Sequence, residues 1–137
     1  MKTHVAIVPI LLALTGWACG QEQAPRKAAE AAVAEPLVVS PAEAYKAWKA
    51  NPQGVVILDV RTPQEYQSGH VRGAQNLDFY QNFEAAVEKL PKDKTYYLHC
   101  ASGRRSGMAT EIMRKKGFKA YNMGGFGAVA QAGFPTE

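Results

Sequence analysis

Residues 95–106 read Thr95-Tyr96-Tyr97-Leu98-His99-Cys100-Ala101-Ser102-Gly103-Arg104-Arg105-Ser106. The first five residues have the β-branched and aromatic character of a strand, which ends directly at Cys100. A short loop containing Gly103 follows. Beyond it, Met108, Ile112 and Met113 recur at helical spacing. Arg114, Lys115 and Lys116 suit the negative end of that helix, and Gly117 terminates it. Strand, short loop and helix thus meet around one cysteine, and the rest of the chain repeats this alternation.

Upstream, Leu37-Val38-Val39 is a short β-like run. Ser40-Pro41-Ala42-Glu43 then starts a helix: Ser40 caps, Pro41 suits the first helical position and Glu43 completes a capping box. Tyr45 and Trp48 lie on one face of that helix. Val55-Val56-Ile57-Leu58-Asp59-Val60 is a continuous apolar run suited to a central strand buried on both faces. Thr62-Pro63-Gln64-Glu65 repeats the helix-start grammar, and Gly69-His70 breaks the short helix. Residues 74–77 read as a strand and 79–90 as a helix carrying Phe83, Val87 and Leu90. Residues 91–94 form a turn. Downstream, residues 120–123 form a last short strand, and the Gly-rich end holds a small helix around 128–131. This alternation predicts an α/β fold, a mostly parallel sheet with helices on both faces. Ligands of such sheets bind beyond the C-terminal ends of the strands, which is where Cys100 falls.

The 137 residues suffice for one domain, with 47% hydrophobic and 20% charged residues. A formal net charge of +4 is too mild for a nucleic-acid-binding face. It is compatible with a basic pocket for a small anion. The two cysteines, Cys19 and Cys100, sit in different contexts and are not read as a disulfide. There is no C-x-x-C motif and no His cluster at metal spacing, so no metal or cofactor is expected.

Residues 1–18 match a secretory signal: a short positive start, an apolar run from Val5 to Leu14, and small residues before a cut. The run is too short for a comfortable membrane span. Ala18-Cys19-Gly20 resembles the end of a bacterial lipoprotein signal, in which Cys19 would be lipidated, although Gly16 stands where such signals usually carry Leu. Simple cleavage after Ala18 is the alternative. Residues 19–36 are rich in Ala, Glu, Gln and Pro and read as a tether. The expected organisation is therefore a signal (1–18), a tether (19–36) and a domain (37–137). The expected location is outside the cytoplasm, periplasmic, either free or anchored through Cys19.

The chemistry is expected in the loop from Cys100 to Ser106. If the loop curls round the thiol, its backbone N–H groups point inward and add to the positive end of the following helix. Such a field favours the thiolate, which is the nucleophile. The expectation is a sulfur that is both ionised and reachable. Ala101, Ser102, Gly103, Arg104, Arg105 and Ser106 are the candidate substrate-binding residues. Gly103 allows the tight turn, Arg104 and Arg105 supply charge for an anion, and Ser106 offers a hydroxyl at the helix start. The competing reading is a buried, inert structural cysteine. His99 adjoins Cys100, but neighbours on a strand face opposite ways, so a Cys–His catalytic pair is not expected.

Cys100, Gly103, Arg105 and Ser106 resemble the active-site loop of rhodanese domains. A second match runs from Asp59 through Val60-Arg61-Thr62-Pro63-Gln64-Glu65-Tyr66, then Gly69-His70-Val71 and Gly73-Ala74-Gln75-Asn76. A third is Gly124-Gly125 followed by Gly133-Phe134-Pro135. The resemblance covers about residues 37–135, with the signatures in family order; Val129 stands where the family commonly has Trp. It implies a three-layer α/β fold with five parallel strands. It implies sulfurtransferase activity, with a sulfane sulfur carried as a persulfide on Cys100. The donor would be a small anion such as thiosulfate, and the acceptor cyanide, a thiol or a protein. The resemblance makes Asp59 and Arg61 supporting residues, mostly architectural. A monomer is expected. Two rival functions remain open. A cysteine-dependent phosphatase or arsenate reductase would need Cys-x5-Arg, whereas Arg105 stands one residue earlier and Ser106 occupies that place. A non-catalytic rhodanese-fold binding module would usually lack the cysteine.

Overall fold

Pro41 and Pro63 each follow a hydroxyl residue, and each opens a helix. The structure, a computed structural model, describes residues 35–137. The expected signal segment, Cys19 and the tether as far as Ala34 lie outside the described residues. Both capping boxes are complete. The Glu43 N–H donates to Ser40 Oγ at 3.2 Å, and the Ser40 N–H donates to Glu43 Oε2 at 3.0 Å. The Glu65 N–H donates to Thr62 Oγ1 at 3.3 Å, and the Thr62 N–H donates to Glu65 Oε2 at 3.0 Å. Each box satisfies donors that the first helical turn leaves without partners.

The elements run α1 (Pro41–Ala50), β1 (Val55–Asp59), α2 (Pro63–Gln67), β2 (Gln75–Asn76), α3 (Phe83–Glu88), β3 (Thr95–Cys100), α4 (Arg104–Lys115), β4 (Lys119–Gly125) and α5 (Phe126–Gln131). The strands form a parallel sheet in the order β2-β1-β3-β4. This is the expected α/β fold, with one correction: the sheet has four strands among the described residues, not five. The run 37–39 lies beside β4 but makes only one bridge, Val38 to Asn122. The Val39 N–H donates to Asn122 O at 3.0 Å and the Asn122 N–H to Leu37 O at 2.9 Å. The ladder cannot lengthen, because Pro36 and Pro41 bracket the run and neither has an N–H to give.

Two further boundaries differ from expectation. The helix read from residue 79 begins only at Phe83. Asp78 Oδ1 accepts the Tyr80 N–H at 3.0 Å, and Asn82 takes a left-handed backbone with φ 50°, so a turn occupies the first residues. Glu35 and Pro36, read as the end of the tether, bond to the domain. Arg114 Nη2 donates to Pro36 O at 2.6 Å, Arg114 Nη1 to Glu35 O at 3.1 Å, and Tyr121 OH to Glu35 Oε2 at 2.8 Å. Glu35 and Pro36 therefore belong to the folded unit.

The two-residue period of the strands sorts the core into two layers. Leu58, Val60, Tyr96, Leu98, Cys100 and Ala120 face Phe83, Val87, Ala109 and Met113 on one side. Ile57, Tyr97, Tyr121 and Met123 face Ala44, Val71, Val129 and Phe134 on the other. Tyr45, Trp48 and Phe134 cluster with ring centroids 5.1–5.9 Å apart and fasten α1 to the C-terminal segment. Val129 is fully buried in this second layer. Leu58 has no exposed surface at the centre of the sheet. Leu58→Ala is expected to cost about 2–5 kcal/mol through lost contacts and the cavity left behind, read as a lower urea midpoint at unchanged slope.

Candidate active site

β3 and β4 are in register from Thr95 opposite Lys119 to Leu98 opposite Asn122, and then slip, so that Cys100 stands opposite Gly125. The slip is a bulge in β4 at Met123–Gly124, where Gly124 has φ +95°. It lets the loop after Cys100 settle directly on the two glycines. A Cβ on Gly125 would lie 2.6 Å from Ala101 O, and one on Gly103 would lie 3.2 Å from Gly124 Cα. Loop and strand therefore meet backbone to backbone.

The loop curls round the sulfur. Gly103, with φ +96°, points its N–H at Cys100 Sγ from 3.0 Å. Ser106 Oγ lies 3.5 Å from the same sulfur. Burial pushes the thiol up. The Ser106 hydroxyl and the N–H groups of Ser106, Ser102 and Gly103 outweigh it and bring the thiol down from its ordinary value to about 7. Ala101, Ser102 and Arg104 are exposed, while Ser106 is buried. One expectation needs correcting: Cys100 itself has no exposed surface. The sulfur sits at the bottom of the core layer formed with α4, because its place on β3 faces inward.

A second correction concerns Arg105, expected on the substrate. Its Nη1 and Nη2 donate to Glu65 Oε2 and Oε1 at 2.8 and 2.9 Å. A planar fork meeting a carboxylate in this way forms a strong, specific pair. Glu65 is held at about 2, first by the Arg105 hydrogen bond and then by its cap contacts to Thr62, against the opposing effect of burial. One carboxylate thus serves both the helix cap and the guanidinium from a different element. The sequence showed only the cap. Tyr80 stands 5.8 Å from the Arg105 guanidinium.

Asp59 and Arg61 form a buried pair, with Arg61 Nε to Asp59 Oδ1 at 2.9 Å and Nη2 to Oδ2 at 2.6 Å. Arg61 Nη2 also donates to Gly69 O at 2.7 Å and lies over the Phe126 ring at 4.3 Å. Asn76 Nδ2 donates to the carbonyls of Asp59 and Arg61 at 3.0 and 2.9 Å. These bonds tie the segment from Asp59 to Asn76 together; neither side chain hydrogen-bonds residues 100–106. His70 stacks on Tyr66 at 3.8 Å, with its Nδ1 3.0 Å from Tyr66 O. His99 points to the far side of the sheet, its Nε2 3.7 Å from Asp59 Oδ2. Burial lowers it, against the opposing charge of Asp59.

Asn122 was not singled out by sequence. It makes three hydrogen bonds: Ser106 Oγ donates to its Oδ1 at 2.8 Å, the Gly124 N–H to the same oxygen at 3.0 Å, and its Nδ2 to Gly103 O at 3.1 Å. Its one signal was a lone amide in the apolar run 120–123, since a buried amide needs partners. Among the described residues no group of three or more His, Cys, Asp or Glu side chains is placed to hold a metal.

The Rhodanese-like domain family matches residues 40–132. The chain belongs to this family. Among its rhodanese relatives, thiosulfate sulfurtransferase PspE of Escherichia coli (strain K12) is 37% identical over 75 residues, covering 53% of this chain and 72% of that protein. The crystal structure of a rhodanese-related protein from Thermoplasma volcanium superposes with a TM-score of 0.64 at 26% identity, covering 74% of this chain and 98% of the other. A Rhodopseudomonas palustris CGA009 structure described as a protein of unknown function, possible tyrosine phosphatase, matches with a TM-score of 0.60 at 28% identity, covering 79% and 89%. The chain spans only 15%, 56% and 41% of the lengths of three further curated relatives.

Proposed function

We propose that this rhodanese domain is a sulfurtransferase that carries sulfane sulfur as a persulfide on Cys100, with thiosulfate or a similar anion as donor. The observation that carries the reading is the Gly103 N–H aimed at Cys100 Sγ from 3.0 Å, within a loop whose Ser106 hydroxyl and amides bring the thiol to about 7. A large fraction of the sulfur is then thiolate at neutral pH without a general base.

Transfer runs in two displacements. The Cys100 thiolate attacks the outer sulfur of thiosulfate. The bond from that sulfur to the sulfonate sulfur breaks, and its electron pair leaves with sulfite. The negative charge on the new persulfide moves one atom outward, toward the mouth of the loop, where exposed Arg104 and the loop N–H groups stabilise it. An acceptor such as cyanide or a thiolate then takes the outer sulfur, and the Cys100 thiolate returns. The kinetics are ping-pong. Because Cys100 is covered, the donor enters only when the covering atoms part. The Ala101–Ser102 segment of the loop is exposed.

The test is mass spectrometry after thiosulfate treatment, beside an assay of phosphate-ester hydrolysis. A gain of one sulfur atom on Cys100 supports the reading. Ester hydrolysis without that gain would transfer the protein to the phosphatase alternative, which the Rhodopseudomonas likeness keeps in view. Against that alternative, Arg105 is already committed to Glu65 and the loop is one residue shorter than Cys-x5-Arg.

The pH dependence follows from the thiol. Its value in the fold is about 7, below its ordinary one. Alkylation by iodoacetamide and the donor half-reaction are therefore expected to rise as pH increases through about 7 and to level above it. A midpoint at the ordinary value of about 8.5 for a free cysteine would mean that the loop amides do not act on the sulfur. An exported protein, anchored through Cys19 or cleaved after Ala18, completes the proposal. The N-terminal mass of the native protein and its partition on membrane extraction distinguish these two forms from an uncleaved chain.

A further inference from the structure

We propose that Asn122 is a positioning residue for Cys100: its amide fixes which hydrogen-bond donors of the loop face the sulfur. The orientation of that amide is fixed by its neighbours. Its oxygen receives the Gly124 N–H at 3.0 Å, and its nitrogen faces the Gly103 carbonyl at 3.1 Å. The opposite orientation would set N–H against N–H and carbonyl against carbonyl, so the network allows only one. Oδ1 is therefore an acceptor toward Ser106, and the Ser106 hydroxyl must give its single proton to Asn122 at 2.8 Å. Cys100 Sγ, farther off at 3.5 Å, receives the same hydroxyl only as a weaker, shared contact. The resting sulfur is served by the backbone N–H groups and by this shared hydroxyl, whose stronger bond is to Asn122.

The other end of the same amide acts on the loop. Gly103 O is the first acceptor of α4, taking the Gly107 N–H at 3.0 Å, and Asn122 Nδ2 binds it as well. This double hold pins Gly103 in its left-handed conformation, and through it the N–H that faces the sulfur. The approach is close: a Cβ on Gly107 would lie 3.3 Å from Asn122 Nδ2. Asn122 thus joins β4, the loop and the first turn of α4 at the point where the thiolate is made. The charged groups near the sulfur, Arg105 on α4 and Glu65 on α2, are paired to each other. His99 faces the opposite side of the sheet toward Asp59 on β1. None of these is altered by changes at Asn122.

The test reads the thiol and not turnover, so it stands even if no sulfur is transferred. The pH midpoint of Cys100 alkylation is measured for wild type, Asn122→Leu, Asn122→Asp and Gly107→Ala, with circular dichroism as the check on folding. Asn122→Leu releases Gly103 but frees the Ser106 proton for the sulfur, and the hydroxyl is the stronger of the two influences on the thiol. Asn122→Asp releases Gly103, keeps the grip on the Ser106 proton and adds a nearby negative charge. The midpoint is expected to fall in the leucine variant and to rise in the aspartate variant, there by about one pH unit or more, which is about tenfold in thiolate at neutral pH. The order expected, from lowest midpoint to highest, is leucine, then wild type, then aspartate. Gly107→Ala suits a helix and nudges the same amide, so it gives a reading if the Asn122 variants fail to fold; a smaller rise is expected. Wild-type midpoints in folded variants, or a midpoint lowered in Asn122→Asp, would overturn the proposal.

Discussion

Cys100→Ser is expected to abolish persulfide formation and to lower sulfur transfer by about three orders of magnitude or more, because the nucleophile is covalent and nothing else in the site replaces it. An alcohol in the same cradle stays protonated at neutral pH, and its oxygen is a poor nucleophile toward sulfur. The surrounding structure gives no reason for the fold to change. The Gly103 N–H that now meets Sγ at 3.0 Å finds an oxygen acceptor in the variant. The residue is buried within the layer that includes Leu98, Ala109 and Met113, and serine is close to cysteine in volume. The measurement pairs a sulfur-transfer assay with mass spectrometry after thiosulfate treatment, and a thermal melt shows whether the fold is kept. Loss of activity with a preserved melt is the expected result. Full turnover in the serine variant would leave Cys100 as a core residue and no more.

The parts of the fold that were legible in the sequence are those set by neighbours in the chain. Ser40 with Glu43 and Thr62 with Glu65 announced two helix starts, since a capping box closes within four residues. The apolar run at 55–60 announced a central strand, and the step from Thr95–His99 into a glycine loop announced a strand-to-helix turn beside the cysteine. What the sequence hid depends on partners far along the chain. Arg105 looked available for an anion, but its carboxylate partner lies forty residues away on α2. Asn122 looked like an ordinary strand residue, because its three partners come from the loop, the helix and the bulge. The run 37–39 looked like a full strand, although the prolines on either side leave it a single bridge. The burial of Cys100 belongs to the same class. A strand pattern says which way a side chain points, but not how far the opposite layer closes over it.

Gly125→Ala is expected to lower kcat/KM for sulfur transfer by about a hundredfold, the scale of loss when reacting groups are displaced by about an ångström. The cause is space and not backbone conformation, since Gly125 has φ −94°, which any residue can adopt. A Cβ there would stand 2.6 Å from Ala101 O and 3.3 Å from both Ala101 C and Ser102 Cα. All three are backbone atoms of the loop that surrounds the thiol, so no flexible side chain can move aside to make room. The loop must lift from β4, and the N–H groups of Ser102 and Gly103 lift with it. The thiol should then titrate higher, which separates this effect from a general loss of stability. Gly124→Ala makes the contrast. Its Cβ would meet nothing within 4 Å, but φ +95° makes any side chain costly there. That variant should melt at a lower temperature while keeping an alkylation midpoint near that of wild type. A Gly125→Ala protein with wild-type kcat/KM and an unmoved midpoint would show that the loop does not rest on β4 while sulfur is transferred.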